Sequence, residues 1–356
     1  MSSEKNIFVV AGESSGDQHA ANYIKEHLQI NPDISFTAFG QNEVNKTQAN
    51  LIYNTEKISV IGIVEVISKY KEISNALNVA KKYVDTNKPD LIVLVDYIEF
   101  NLKIAKYAKK LGIPVLFYVA PQVWAWRERR AKGFMDSIDH LAVIFPFEEN
   151  FFKKYSNNVT YVGHPLSKRK DLLESVNEYE NRFIDLGIFP GSRESEIRNN
   201  LFIMLDCIQK NKKENICIFY ANETSKNLLM NLLPESYHDY LTSGKEIEKV
   251  RNCKKALCAS GTITLELAML NIPMIIVYKL SYLSFLIMRS LVKLKYIGLV
   301  NLILGDSMGS HPVVNEYIQP SYSDQVDIMV ELNKIDLDED YRKDMFMNYE
   351  KIREKL

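Results

Sequence analysis

Two turns in the second half of the chain combine glycine with hydroxyl and charged side chains. The first, Ser260-Gly261-Thr262, joins an apolar strand to a helix expected over 262–270. Glycine lets a ligand approach the backbone closely, and free amides at a helix N-terminus attract phosphate. Glu266 follows one helical turn later on the same face, where its carboxylate could accept hydrogen bonds from ribose hydroxyls. Without a ligand, the same residues would serve as a helix cap and a dipole-favoured first-turn glutamate.

The second turn is Pro190-Gly191-Ser192-Arg193, with Glu196 one helical turn further on. An arginine at such a position can bind a diphosphate bidentately and neutralise the charge of a leaving group. The alternative is a surface ion pair between Arg193 and Glu196. Neither turn has the spacing of a P-loop or of a dinucleotide-binding fingerprint, which disfavours ATP hydrolysis and nicotinamide chemistry.

In the first half, Asp96 ends the continuous apolar segment 91–95. A carboxylate at the end of a strand can remove a proton from an attacking hydroxyl group, so Asp96 is a candidate general base. Glu99 lies three residues on and could take the same role. Asp96 could instead cap the helix that follows.

Both tryptophans, Trp124 and Trp126, lie directly before Arg127 in a loop that follows the apolar segment 115–119. Loops that leave the carboxyl ends of parallel strands line the ligand crevice of α/β proteins. Two indoles and a guanidinium in such a loop therefore indicate a binding surface. The alternative is that both indoles pack into the core beneath the loop.

Apolar segments alternate with helical patterns along the whole chain, which predicts parallel sheets covered by helices on both faces. A polar stretch at 163–180 is expected to link two such domains, and its basic cluster Lys168-Arg169-Lys170 is expected to be a solvated face. The terminal helix should bury one face. The predicted strands are 7–10, 36–39, 91–95, 115–119, 141–145, 159–162, 184–189, 216–220, 256–258 and 274–278.

Composition agrees with two globular domains and excludes several classes of protein. The 356 residues are 46% hydrophobic and 25% charged, with a net charge of −1, so nothing favours nucleic-acid binding. The four cysteines lack the spacing of a zinc site or the density of a disulfide scaffold, which suits a reducing cytoplasm. Residues 280–304 are apolar and basic together; they could lie on a membrane or cover a domain core.

In order, these segments resemble the bacterial lipid-A-disaccharide synthases, and the doubled tryptophan is the most specific of them. The resemblance extends over most of the chain, from about residue 7 to 320. The matching segments are 10–17, 60–66, 118–127, 145–148, 162–166, 190–193, 260–262 with Glu266, 273–274, 301–302, and Glu316 with Gln319.

The resemblance implies an α/β protein of the GT-B type, with two facing Rossmann-like, doubly wound domains and a central cleft. The domains would be 1–166, on the acceptor side, and 167–335, which binds the UDP-sugar. The helix 336–356 would pack on the first domain or exchange with a second subunit of a homodimer. Such enzymes invert the anomeric centre as they join UDP-2,3-diacylglucosamine to 2,3-diacylglucosamine 1-phosphate, giving the β-1,6-linked disaccharide 1-phosphate of lipid A biosynthesis and UDP. They need no metal or other cofactor and bind peripherally to the inner face of the inner membrane.

Carried over position by position, the resemblance makes Asp96 the general base and places Arg193, with Glu196, near the diphosphate. The substrate-binding set is Ser14, Ser15, Asp17, Glu99, Trp124, Trp126, Arg127, Ser260, Gly261, Thr262, Glu266, Asn301, Glu316 and Gln319. The chain departs from the family in having Asp96-Tyr-Ile-Glu-Phe-Asn101 where Asp-Ala-Pro-Asp-Phe-Asn is usual, and in a longer segment at 305–311.

Acyl chains and the phospholipid surface would contact the aliphatic residues within 60–66 and the segment 282–296. Lys279, Arg289, Lys293 and Lys295 would attract anionic head groups. Two other functions also fit the residues. One is a different UDP-sugar enzyme, such as another N-acetylglucosaminyltransferase or an epimerase, and the other is a non-catalytic sugar-nucleotide or lipid-binding module.

Overall fold

Thirteen strands in two sheets form the framework of the described part of the chain. The computed structural model describes residues 5–58, 69–126, 128–173, 177–209, 215–280, 285, 295–305 and 311–356. The chain divides into two units, Met1–Gly163 and His164–Leu356, and each contains one sheet. Both sheets are parallel throughout.

In the first unit the strands lie in the order β3-β2-β1-β4-β5-β6-β7. Because side chains alternate between the two faces of a sheet, β1 and β4 contribute to the buried clusters on both faces. Phe8 and Leu94 belong to one buried cluster, and Val9 and Val93 to the other. The strands are β1 (Asn6–Ala11), β2 (Ser35–Gly40), β3 (Asn50–Asn54), β4 (Leu91–Val95), β5 (Val115–Tyr118), β6 (His140–Val143) and β7 (Val159–Tyr161).

Helices cover both faces of this sheet, as continuous apolar strands require. The helices of the first unit are α1 (Ser14–Ile30), α2 (Asn42–Asn45), α3 (Tyr70–Asn87), α4 (Ile98–Lys110), α5 (Val123–Trp126), α6 (Ala131–Met135) and α7 (Pro146–Phe152).

The second unit repeats the arrangement with the strand order β10-β9-β8-β11-β12-β13. Its strands are β8 (Leu186–Phe189), β9 (Ile216–Tyr220), β10 (Leu241–Ser243), β11 (Ala256–Cys258), β12 (Met274–Tyr278) and β13 (Glu316–Ile318). Its helices are α8 (Lys170–Leu173), α9 (Glu194–Gln209), α10 (Glu223–Leu232), α11 (Ile247–Arg251), α12 (Ile263–Met269), α13 (Leu299–Leu304), α14 (Tyr322–Leu337) and α15 (Glu339–Lys355).

The terminal helix α15 packs on α12, α13 and α14, all of the second unit. Met345, Tyr349 and Ile352 are buried there, which confirms the predicted apolar face. Arg353 fixes the end of the helix by donating to the Asn271 side chain at 2.7 Å. An association of this helix with the first unit or with a second subunit stays a prediction.

The loop after β1 and the turn after β4 interlock through Gly12 and Tyr97. Asp96 and Tyr97 both have left-handed backbone angles, with φ of 49° and 45°. The Tyr97 ring lies over Gly12 so closely that a Cβ at Gly12 would be 2.0 Å from Tyr97 Cδ1. Asn101, which is fully buried, donates to the Asp96 carbonyl at 2.8 Å and holds the turn from the other side.

Replacing Gly12 by alanine should therefore displace the Tyr97 ring and lower the free energy of unfolding by about 1–3 kcal/mol. Gly133, within α6, is the matched control, since a Cβ there would meet nothing within 4 Å. Gly133→Ala should be neutral or slightly stabilising because alanine is the better helix former. Chemical denaturation of both variants measures the difference, and equal stabilities would contradict the interlock.

Candidate active site

A cavity of about 460 Å³ opens in the second unit at the carboxyl ends of β8, β9, β10 and β11. Ligands of doubly wound sheets bind at this edge. One wall comes from Gly191 and Ser192, and another from Ser260, Gly261 and Thr262. Both turns that the sequence singled out therefore face one space.

The turn after β8 is shaped by Glu196. Gly191 has a φ of 122°, and a Cβ there would lie 2.9 Å from the Glu196 carboxylate. That carboxylate accepts the amides of Ser192 and Arg193 at 3.2 and 3.4 Å, and it pairs with the Arg193 guanidinium at 3.2 Å. The ion pair considered from the sequence is thus present, and more than half of the Arg193 side chain remains exposed beside the cavity.

Asn200, which no sequence motif predicted as a site residue, also fixes this turn. It is fully buried on α9, and its amide group donates to the Pro190 carbonyl at 3.2 Å. Its carbonyl oxygen accepts the Lys279 amide at 2.8 Å, which ties the end of β12 to the turn. The only signal in the sequence is a polar residue at a position where the helical pattern expects an apolar one.

The turn after β11 presents Gly261 to open space. No Cβ contact would form within 4 Å of this residue, and α12 begins two residues later. Neither Ser260 nor Thr262 acts as a side-chain cap of this helix. Thr262 occupies the N-cap without a side-chain bond, and the Ser260 hydroxyl donates to the Ile297 carbonyl at 3.0 Å. Thr262 therefore holds the N-cap position without a capping side-chain bond, and the capping alternative is wrong for Ser260.

Glu266 follows on α12 and lines the cavity. Burial raises the pKa of its carboxyl, and the nearby Arg169 guanidinium, 3.4 Å away, opposes that shift. Arg169 also lines the cavity, so the expectation that its basic cluster is a purely solvated face is wrong for this residue.

Glu316 and Gln319 bind the main chain on either side of 281–294. Asn301 bonds the Val314 main chain and the Glu316 carboxylate. The Glu316 carboxylate accepts the amides of Ile297 and Gly298 at 2.8 and 2.9 Å and the Asn301 side chain at 2.6 Å. Burial raises the pKa of Glu316, and these donors lower it. Gln319 bonds both the amide and the carbonyl of Leu280. Their contacts with uridine or donor sugar stay predictions.

In the first unit, Asp96 is half-buried at the end of β4. Helix α4 begins at Ile98 with Tyr97, rather than Asp96, at its N-cap. Glu99 is exposed and pairs with Arg130 at 2.5 Å, so its carboxylate is directed to a surface ion pair. The Glu99 carboxylate is thus engaged by Arg130, and the general-base role of Asp96 stays a prediction.

Glu148, which the sequence indicated only as part of a matching segment, bonds Trp124 and interacts electrostatically with Asp96. Its carboxylate accepts the Trp124 indole N–H at 3.0 Å and the Phe145 amide at 3.2 Å, and the residue is 1% exposed. Burial raises the pKa of Glu148 to about 8, and the charge of Asp96 adds to that shift. The neighbouring strands β4, β5 and β6 thus deliver Asp96, Trp124 and Glu148 to one edge of the sheet.

Asp17 is buried, and its carboxylate accepts the amides of Gln41 and Glu43 at 2.5 and 2.7 Å. It therefore holds the β2–α2 turn, and its contact with a substrate stays a prediction. Ser15 is exposed in the first turn of α1, where a substrate contact stays a prediction.

Several predicted residues lie outside what the structure describes. These are Arg127, the side chains of Ser14 and Trp126, and the segments 59–68, 281–284, 286–294 and 306–310, with most of the proposed lipid-contacting residues. Among the helices of the described ranges, none combines the length and apolarity needed to cross a membrane. Nor do those ranges contain a group of three or more His, Cys, Asp or Glu side chains arranged to hold a metal ion.

Comparison with solved structures identifies the fold. UDP-GlcNAc 2-epimerase from Neisseria meningitidis bound to UDP-GlcNAc superposes with a TM-score of 0.60 at 12% identity, covering 98% of each chain. Acinetobacter baumannii MurG superposes with a TM-score of 0.55 at 13% identity, again covering 98% of each. The chain has the α/β fold of GT-B glycosyltransferases and the related epimerases.

Sequence comparison defines the family. A family model for lipid-A-disaccharide synthetase matches residues 7–355. The lipid-A-disaccharide synthase of Geobacter metallireducens is 33% identical, covering 88% of this chain and 84% of the relative. That of Nitrosococcus oceani is also 33% identical, covering 98% and 92%. The chain belongs to the lipid-A-disaccharide synthetase family, and it is a hexosyltransferase of lipid A biosynthesis.

The bond between Glu148 and Trp124 predicts a titration that fluorescence can detect. With Trp126 replaced by Phe, Trp124 is the only indole, and its emission should change with a midpoint near pH 8 as Glu148 loses its proton. Adding Glu148→Gln should abolish this transition, and an unchanged midpoint in that double variant would contradict the assignment.

The free energy of unfolding of the wild type relative to Glu148→Gln should also fall as pH rises from 4.5 to about 8, because the folded state retains a proton that the unfolded chain has released. Chemical denaturation of both proteins across this pH range measures the difference.

Proposed function

We propose that the protein is an inverting glycosyltransferase that joins UDP-2,3-diacylglucosamine to 2,3-diacylglucosamine 1-phosphate. The product would be the β-1,6-linked disaccharide 1-phosphate, with UDP released. The observation that carries the proposal is the cavity in which two glycine turns face the half-buried Glu266. Family membership supplies the substrate class.

The donor would bind through its nucleotide in this cavity. The amides of Gly191–Ser192 and of Ser260–Thr262 would bind the diphosphate, with Arg193 adding a positive charge. Glu266 would accept the ribose hydroxyls. The uracil ring would bind at the residues that end or follow β9 and β10, because they line the same cavity beside the strands that carry the glycine turns, β8 and β11, and include the Tyr220 ring and Ile247.

The chemistry would be one displacement. Asp96 takes the proton of the acceptor's primary hydroxyl, and the oxygen forms a bond to the anomeric carbon as the bond from that carbon to the diphosphate breaks. The electron pair leaves with UDP, whose charge Arg193 and the turn amides stabilise. A single displacement inverts the anomeric centre.

Incubation with both acylated substrates, followed by mass spectrometry, tests the function. The proposal predicts a product of the mass of the disaccharide 1-phosphate together with an equal amount of UDP. A chromatographically separate isomer of the donor, with unchanged mass, would indicate an epimerase instead. Equal turnover of a donor without acyl chains would contradict the substrate assignment.

Asp96→Ala should lower kcat by about 10²- to 10⁴-fold, the usual contribution of a general base, and leave UDP affinity nearly unchanged. Arg193→Ala should weaken both UDP binding and turnover, by about 10- to 100-fold, since it removes a charge-assisted contact. Glu99→Gln is the matched control for a lost carboxylate and should change kcat little, because Glu99 is exposed and paired with Arg130. Steady-state kinetics and calorimetry measure these effects, and near-wild-type turnover by Asp96→Ala would contradict the base assignment.

We also propose that the enzyme binds anionic lipid peripherally through the aliphatic residues of 60–66 and the basic, apolar segment 282–296. Flotation with liposomes tests this part separately. Absence of lipid association would remove it without affecting the catalytic proposal.

A further inference from the structure

Arg169, in the segment that follows His164, contributes a positively charged side chain to the wall of the cavity. The Arg169 guanidinium lies between two carboxylates, with Nη1 at 3.4 Å from Glu266 Oε1 and with Nε at 3.1 Å from Asp171 Oδ1. Nη2 makes a second bond to Asp171, at 2.5 Å from Oδ2. The fork of the guanidinium is thus fixed on Asp171, and one nitrogen remains directed at Glu266.

Hydrogen bonds to other residues of the second unit hold Asp171 and Arg169 in place. The main-chain carbonyl of Asp171 accepts a hydrogen bond from Arg251 at 2.6 Å. Arg251 is 7% exposed on its side chain and pairs with Glu248 on the same helix, α11. The Arg169 amide bonds the Leu166 carbonyl at 3.2 Å. Arg169 is therefore anchored on both sides, unlike a freely moving surface arginine.

Charge around Glu266 depends mainly on this arginine. Burial raises the pKa of Glu266, Arg169 lowers it, and the negative charge of Asp171 raises it. Four further charged groups lie on the elements around α12 and the cavity: Lys170 on α8, Glu196 and Lys245 in the cavity lining, and Arg353 of α15, which donates to the Ala268 carbonyl of α12 at 3.1 Å. A carboxylate that accepts two hydroxyl groups must carry its charge, because a protonated carboxyl is a donor and a weaker acceptor.

We propose that Arg169 is a positioning residue that fixes the charged Glu266 carboxylate toward the cavity, so that it binds the two vicinal hydroxyls of a ribonucleoside diphosphate. This inference rests on the proposed function, since it assumes that the nucleotide occupies this cavity. Beyond that function, it predicts that the protein prefers ribose over deoxyribose and that this preference depends on Arg169, which lies outside both glycine turns.

Loss of Arg169 has two consequences. The pKa of Glu266 rises, so nucleotide affinity should be lost at a higher pH than in the wild type as the solution is acidified. The carboxylate also loses its fixed orientation, so the second ribose hydroxyl should contribute less to binding. A purely structural arginine would change stability without changing either the pH midpoint or the sugar selectivity.

Calorimetric titration of the full-length protein with UDP and with 2′-deoxy-UDP, from pH 5 to 8.5, tests the inference. The wild type should prefer UDP by about tenfold, the effect of one hydrogen bond to a charged group. Arg169→Gln should weaken UDP binding by a similar factor, reduce the preference to less than about threefold and move the acidic loss of affinity to higher pH. Arg169→Lys should recover part of the affinity because it keeps the charge.

Two further variants keep the result interpretable. Lys170→Gln removes an adjacent, exposed positive charge and should behave as the wild type. Glu266→Gln should abolish the sugar preference, and adding Arg169→Gln to it should cause no further loss. Wild-type affinity, preference and pH dependence in Arg169→Gln would overturn the inference while leaving the proposed function intact. A wild type that binds no UDP would contradict the proposed function and the inference with it.

Discussion

All strands of a parallel sheet end at the same edge, and this constraint gathers the candidate site in each unit. In the second unit it brings residues of four separate strand ends to one cavity. In the first unit it delivers Asp96, Trp124 and Glu148 from three neighbouring strands. Residues far apart in sequence thus become neighbours, and the loops and helix starts that follow the strands carry the candidate site.

Carboxylates hold those loops in shape. Asp17, Glu196 and Glu316 each accept main-chain amides of a turn at the edge of a sheet, while Glu148 accepts an indole and an amide. A buried carboxylate is costly unless donors surround it, so each one selects the loop conformation that supplies its donors. Glu266 differs from the other four in that its described partner is the arginine at the cavity wall.

The framework could be predicted from the sequence because central strands are apolar throughout. The bounds expected for β4, β9, β11 and β12 match those observed. The edge strands β3, β10 and β13 were missed, since each has a neighbour on one side alone and a mixed pattern of polar and apolar residues.

The site was predictable where a turn carries its own signature, as at 190–193 and 260–262. It was not predictable where a role depends on a distant partner. Asn200 and Glu148 act through contacts with other elements, and Arg169 belongs to a stretch whose composition indicates a linker. Asp17 shows the converse, because a residue that matches a binding motif has its carboxylate occupied by the protein's own amides.

The proposed function depends above all on the cavity of the second unit binding the nucleotide of the donor. A crystal structure of the enzyme with UDP tests this most directly. We expect a diphosphate bound by the amides of 191–192 and 260–262, with the ribose hydroxyls at Glu266. UDP bound elsewhere, with this cavity empty, would contradict it.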